Sequence, residues 1–478
     1  MGHIVGTDRN QLAIRSLDEM VAIDSPVRQI DKMIGESDTS YFEKAETKAT
    51  GRPPFDPKDM LKLYVYGMDN GIVSSRKLDR ECKRNVEVMW LLNGLQPDDK
   101  TICNFRRENA EKLARFFNEF CRTLAKKGYI DGGILAVDGT KIRANNSRHN
   151  NFSASKLNKR IALLDKRIAE YLTEVDKNDK IEELKKRKAK YELFRESISS
   201  GKVNEVSVTD PDSRLMKQTN YGMDVSYNVQ TAVDSKHKLV AGVLVLNETN
   251  DLGQLSKTAK AVKKNLYLDT TIVIADKGYY MTEDFKTCHE NGIDTIVAKP
   301  EEKRTDENIV FGKHDDFRYD KGNDCYYCPA NQILKKTSEK YGGLRRYENR
   351  SACGKCPLRP HCAKGARRVI TRHISIEHAE QNDRNLAANP HIYKLRQELS
   401  EHPFGTVKRT MGIRQFLTRG LINVAAEAAL IFLCYNLKRL RNIQQDNNNN
   451  EGDISQHIQF FAVFCWIFYY LSFQQEYR

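Results

Sequence analysis

Three acidic residues stand where an acid is hard to explain by structure alone. Asp138 ends the apolar run Ile134-Leu-Ala-Val-Asp138, Asp276 ends Ile272-Val-Ile-Ala-Asp276, and Glu401 opens Glu-His-Pro-Phe-Gly-Thr-Val-Lys-Arg. A carboxylate at the edge of a buried strand is costly unless it is paired or binds a metal. Two strands and a helix that each deliver one suit metal-assisted phosphoryl transfer. In that chemistry two hard divalent ions, Mg2+ or Mn2+, activate the attacking oxygen and stabilise the leaving one. Any one of these acids alone could be a cap or turn residue.

Cys325-Tyr-Tyr-Cys328 and Cys353-Gly-Lys-Cys356, followed by Cys362, form a second constellation. Paired Cys-x-x-Cys knuckles supply four thiolates in tetrahedral array to a structural zinc ion. Five cysteines are one too many. Either Cys362 replaces one knuckle member or it stays free, and His361 is another candidate ligand. The alternative is a set of reduced cysteines that only pack a small insertion. Cys82, Cys121 and Cys434 read as core residues.

The elements that must position these groups follow from periodicity. Residues 1–130 read as a helical domain, with breaks at Gly51-Arg-Pro-Pro54 and Gly94-Leu-Gln-Pro97. Within it, Ser74 or Ser75 can cap a helix carrying Arg76, and Asp98 or Asp99 one carrying Arg106 and Arg107, a helix-turn-helix-type pair. A solvated bundle whose arginines face water is the plainer reading. From residue 131 the pattern becomes extended, with Asp138-Gly139 near a bend. Residues 153–200 interrupt it with an apolar seam, Leu157, Ile161, Leu164, Ile168 and Val175, which predicts an inserted helical hairpin turning at Asp176–Asp179. Its run Lys185-Lys-Arg-Lys188 reads as a solvated face. Residues 227–233 and 239–246 should be antiparallel strands joined at Asp234-Ser-Lys-His237. A helix over 252–262 and buried strands at 270–275 and 295–298 follow. Residues 300–385 read as a cysteine-bearing, turn-rich insertion, with helix returning from Tyr393 through Leu440. The expected fold is α/β, a mixed sheet flanked by helices, over 131–443, with 444–478 a polar linker and apolar tail.

Composition sets the partners. A net charge of +14 and a pI near 9.1 favour a polyanion, nucleic acid or an anionic membrane surface. The N-terminus carries Asp8, Arg9, Glu19 and Asp24 without an early apolar run, so it lacks the form of a secretory signal and predicts a cytoplasmic protein. Reduced cysteines fit that compartment. The apolar stretch from Phe460 to Leu471 is shorter than the roughly 20 residues that span a bilayer, so no membrane partner is expected.

Several motifs together resemble the bacterial insertion-sequence transposases of the DDE type. They are Thr50-Gly-Arg-Pro-Pro-Phe-Asp-Pro57, Ser74-Ser-Arg-Lys-Leu78, Ala136-Val-Asp-Gly-Thr-Lys141, Ala275-Asp-Lys-Gly-Tyr-Tyr280 and Glu401-His-Pro-Phe-Gly-Thr-Val-Lys-Arg409. The resemblance runs to about residue 443. It implies an RNase H-like catalytic core in which Asp138, Asp276 and Glu401 hold two Mg2+ or Mn2+ ions. It further implies Tyr393, Arg396, Glu401 and Lys408 along the last catalytic helix, with Arg396 one residue further from the glutamate than in well-known relatives. Lys141, Lys408 and Arg409 become candidate DNA contacts beside Arg76, Arg106 and Arg107. The implied partners are double-stranded DNA, as terminal inverted repeats and as target, and a second copy of the chain; the implied place is the nucleoid. No His-x-x-Arg, His-x-His or Gly-x-x-x-x-Gly-Lys-Ser/Thr occurs, which weighs against a tyrosine recombinase, a histidine-pair nickase and a P-loop ATPase. The competing expectation is a non-catalytic DNA-binding remnant of such an enzyme.

Overall fold

The computed structural model describes residues 11–12, 14–42, 53–172, 178–201, 205–218, 222–301, 310–311, 316–340 and 343–445. The expectations for Gly51 and Arg52, for Val175 to Lys177, and for the linker and tail from residue 446 onward lie outside these residues. The described chain opens with α1 (Leu17–Met20), α2 (Pro26–Gly35), α3 (Pro57–Asp69), α4 (Ser75–Arg84), α5 (Val86–Leu91), α6 (Asp99–Glu108) and α7 (Ala110–Lys126). Their starts follow local chemistry. Pro26 and Pro57 occupy first turns, where no amide donor is needed, and the Asp56 and Asp98 carboxylates accept from the Lys58 and Thr101 amides. Every residue from Met60 to Met68 is buried, so α3 is the bundle's central helix.

The sheet begins with β1 (Ile134–Arg143). Short strands β2 (Asn151–Phe152) and β3 (Val206–Ser207) pair at the root of a helical hairpin, α8 (Ala154–Leu172) and α9 (Asn178–Ser199). Then come β4 (Arg214–Gln218), β5 (Gly222–Asp234), β6 (Val240–Leu246), α10 (Leu255–Leu266), β7 (Thr271–Ala275), α11 (Thr282–His289) and β8 (Ile293–Val297). In space the order is β4-β5-β1-β7-β8, with β6 also on β5. β1, β4 and β6 are antiparallel to β5, and β7 is parallel to both β1 and β8. This is a mixed α/β architecture.

Residues 318–373 hold a second sheet, β9 (Arg318–Asp320), β10 (Cys325–Tyr327), β11 (Ile333–Lys340), β12 (Leu344–Glu348) and β13 (Val369–His373), with α12 (Arg350–Gly354) and α13 (Arg359–Cys362) before the last strand. Its five strands pair antiparallel in sequence order. Helices α14 (Ile376–Ala388) and α15 (Pro390–Gly405) follow, then a wide π-type turn at Thr406–Thr410 and α16 (Leu421–Gln445). By length and composition α16 could cross a membrane, yet 72% of its apolar window is buried inside the protein, as in a core helix.

Four expectations change. β1 runs unbroken through Asp138-Gly139 instead of bending there. The cysteine insertion is a sheet rather than turns. β4 was not anticipated. The C-terminal helical stretch starts at Ile376 and breaks over 411–420, because that segment lies against β1: the Phe416 amide donates to the Arg143 carbonyl at 2.9 Å and the Arg143 amide to the Arg414 carbonyl at 3.3 Å. One continuous apolar core runs from Val27 in α2 through the sheet to Leu440 in α16.

Candidate active site

The β1 and β7 register puts two aspartates side by side. Ala136 lies opposite Ile274 in these parallel neighbours, and two residues further on Asp138 comes level with Asp276. Asp138 accepts from the Gly139 amide at 2.8 Å, and Asp276 caps a short turn through the Gly278 amide at 2.6 Å. Burial pushes the Asp138 carboxyl up to about 6, and the Asp276 charge adds to the rise. The Gly139 amide, the Arg396 charge and a Ser400 hydrogen bond pull the other way.

Helix α15 crosses this end of the sheet. Ser400, fully buried, and Arg396 both face Asp138, four residues apart on one helical face. Glu401 is exposed one position on. It lines the same groove as Asp138, and its Oε1 accepts from Gln397 at 3.1 Å. The structure thus brings Asp138 and Asp276 together and sets Glu401 at the groove wall. Among the described residues no three His, Cys, Asp or Glu side chains form a ready-made metal site. Two neighbouring acids whose charges oppose each other still fit a hard divalent cation, the species that relieves such repulsion.

The groove, about 1160 Å³, is strongly basic. Lys408 and Arg409 come from the π-type turn and Arg414 from the segment after it; Arg143 and Arg148 come from and follow β1. Lys408 is partly buried and its ammonium donates to Thr140 Oγ1 on β1. Burial draws its pKa down, against the opposing pull of Asp138. Arg143 and Arg148 both reach Asp224, at 2.9 and 3.4 Å. Sequence reasoning missed Arg143, Arg148, Arg414 and Ser400. Ser400 alone had a local signal, its spacing of four from Arg396.

The other predicted contacts divide. Tyr393 is half-buried on α15 with the Arg396 guanidinium 5.9 Å from its ring centre. Arg76 is 84% exposed in its side chain, 3.5 Å from Asp99, and Arg107 is also exposed. Arg106 is corrected: it is only 8% exposed and packs against the Tyr64 ring, because its place on α6 points into the bundle. Lys141 is drawn into an internal ion pair with Asp251 at 2.8 Å. Of the five cysteines, Cys328, Cys353, Cys356 and Cys362 line one small void, whereas Cys325 lies buried in β10 and does not.

Comparison with known proteins bears on two stretches. Residues 15–108 match a family model described as a transposase domain (DUF772), and residues 327–441 match one described as a transposase DDE domain. The second includes Glu401; Asp138 and Asp276 lie outside both. No curated protein matches the chain. Among solved structures, a piggyBac transposase synaptic complex with hairpin DNA aligns at 10% identity over 89% of this chain and 73% of that chain. Its TM-score of 0.33 is too low to bear on the fold.

Proposed function

We propose that this chain, a transposase of the DDE type, cleaves DNA at the ends of its element and joins the freed 3′-hydroxyl to target DNA, with Asp138, Asp276 and Glu401 as its metal-binding acids. The observation that carries the reading is the side-by-side pair Asp138 and Asp276, with the Asp138 carboxyl held up at about 6 inside a basic groove. Such a pair is costly in isolation and is suited to a divalent cation. When bound, two Mg2+ or Mn2+ ions would activate the attacking oxygen and stabilise the leaving one. The strand order supports an RNase H-like core: three antiparallel strands, β6, β5 and β1, continue into parallel β7 and β8. On this reading the helical hairpin and the five-stranded sheet are insertions into that core.

The chain's own groups do the rest. Asp138 must lose its proton to hold a cation, which a carboxyl near 6 does at neutral pH. Arg396, Lys408 and Arg409 hold the scissile and flanking phosphates in the groove, positioning the backbone without reading sequence. Arg76 and Arg107 on the N-terminal helices meet the terminal repeat. Joining two element ends calls for two copies of the chain, acting on the nucleoid in the cytoplasm. A structural zinc ion completes the cofactor set.

Strand cleavage of element-end DNA with Mg2+ or Mn2+, comparing wild type with Asp276→Ala, tests the reading. Wild type should cut and the variant should not. Equal cutting by both removes the aspartate pair from the mechanism. Tight DNA binding with no cutting by wild type favours a non-catalytic DNA-binding protein, for which the outward position of Glu401 is the supporting observation.

A further inference from the structure

We propose that Cys328, Cys353, Cys356 and Cys362 bind one structural zinc ion and that Cys325 is not a ligand. The proposal stands apart from the DNA chemistry. Three chain segments deliver the four thiols to one place. Cys328 follows β10, Cys353 and Cys356 straddle the end of α12, and Cys362 ends α13. All four are half-buried around a void of about 30 Å³, the space of a single water or ion, whose other walls include Phe317 and Leu334. Cys328, Cys353 and Cys356 all lie within electrostatic reach of the Cys362 thiol.

The turn at Cys328 is built around its sulfur. The Gln332 amide donates to Cys328 Sγ at 3.4 Å, the Cys328 amide donates to the Gln332 carbonyl at 3.0 Å, and the Asn331 amide closes on the Cys328 carbonyl at 2.8 Å. Asn331 takes the left-handed conformation this loop needs, φ 56°. The second pair repeats the tight geometry, with the Cys356 amide on the Cys353 carbonyl at 3.3 Å. Cys325 sits elsewhere, 4% exposed in β10 between Asp320 and Lys335 of the neighbouring strands.

Four thiolates in such a setting select zinc in tetrahedral coordination. The thiols line the void without yet forming a closed set, so the ion would draw the turns together. It would also hold the sheet. Among the described residues, the sheet's apolar cluster contains only Phe317, Tyr326, Leu334, Tyr347 and Ile370 as buried members, with Cys328 and Cys362 packed against them, and a core this small ordinarily needs a staple.

Metal analysis of the full chain, purified under reducing conditions without chelator, tests this. Wild type should carry about one zinc per chain, Cys353→Ser should lose it, and Cys325→Ser should keep it. Because Cys353→Ser could misfold, two further measurements are needed: Cys362→His should retain zinc, and mercurial titration of wild type should release it as four thiols react. Zinc-free wild type, or loss of zinc in Cys325→Ser with retention in Cys353→Ser, overturns the proposal. A zinc-free chain that still cuts DNA would overturn the zinc site and leave the strand-transfer reading standing.

Discussion

Nothing larger than glycine fits beside Asp138. A Cβ on Gly139 would stand 2.3 Å from Gln230 Nε2, 2.8 Å from Asp251 Oδ1 and 3.0 Å from the Tyr279 hydroxyl. Those groups form a partly buried network. Asp251 Oδ1 accepts from Lys141, Asn228 and Gln230, each at 2.8 Å, and the Tyr279 hydroxyl donates to Gln230 at 2.5 Å. The glycine therefore serves close approach rather than a bend, and Lys141 serves the network. The raised carboxyl next to it has a stability consequence. Asp138 binds its proton more tightly folded than unfolded, so in metal-free protein stability falls as pH rises from about 4 to about 6 and is level above that. Asp138→Asn removes the cost. In chelator at pH 8 the variant should be more stable than wild type by up to about 3 kcal/mol, the two converging below pH 4. Denaturant unfolding at both pH values checks this, and a variant less stable at pH 8 would refute it. At this scale the acids were legible because an acid ending an apolar run is locally odd. Asp251 and Gln230 were not, since their partners lie dozens of residues away.

The elements differ in how far they depend on one another. The helical hairpin has its own cluster, Phe152, Leu157, Ile161, Leu164 and Tyr191, separate from the main core. Tyr191 is 6% exposed, with its ring 5.1 Å from Phe152 and 6.5 Å from Phe194. Tyr191→Ala should cost about 3–5 kcal/mol, lost locally. Hydrogen exchange should speed up across α8 and α9 while amides of β1, β5 and β7 keep their protection; uniform loss across the sheet would contradict it. The hairpin was readable from its apolar seam, because helical periodicity is a local property. The five-stranded sheet was not. Ile333-Leu-Lys-Lys-Thr-Ser-Glu-Lys340 and Leu344-Arg-Arg-Tyr-Glu348 are mostly polar strands with one face in water, and their pairing depends on partners. The break after α15 was hidden for the same reason. Met411, Ile413 and Phe416 are buried apolar residues, and only their contact with β1 shows that they are not helical.

Over the whole molecule, α16 joins the N-terminal helices to the sheet. Lys438 and Arg441 reach Asp69 at the end of α3, at 2.6 and 3.3 Å. Asn436, fully buried, bonds both backbone groups of Val240 in β6, accepting from its amide at 2.8 Å and donating to its carbonyl at 2.9 Å. Asn436→Ala leaves two buried groups unpaired and should cost about 2–4 kcal/mol. Because one core spans both regions, Trp90 fluorescence in α5 and far-ultraviolet dichroism should shift to lower denaturant together; separate midpoints would show two independent units. The sequence division at residue 130 marks a change of secondary structure and does not interrupt that core. Chain order then has a consequence for synthesis. Asp138 and Asp276 leave the ribosome before the helix bearing Glu401 and before the helix that pins the fold together. A growing chain therefore carries both aspartates while it is still unarmed, and on the proposed mechanism it gains the capacity to cut only after α16 has been made.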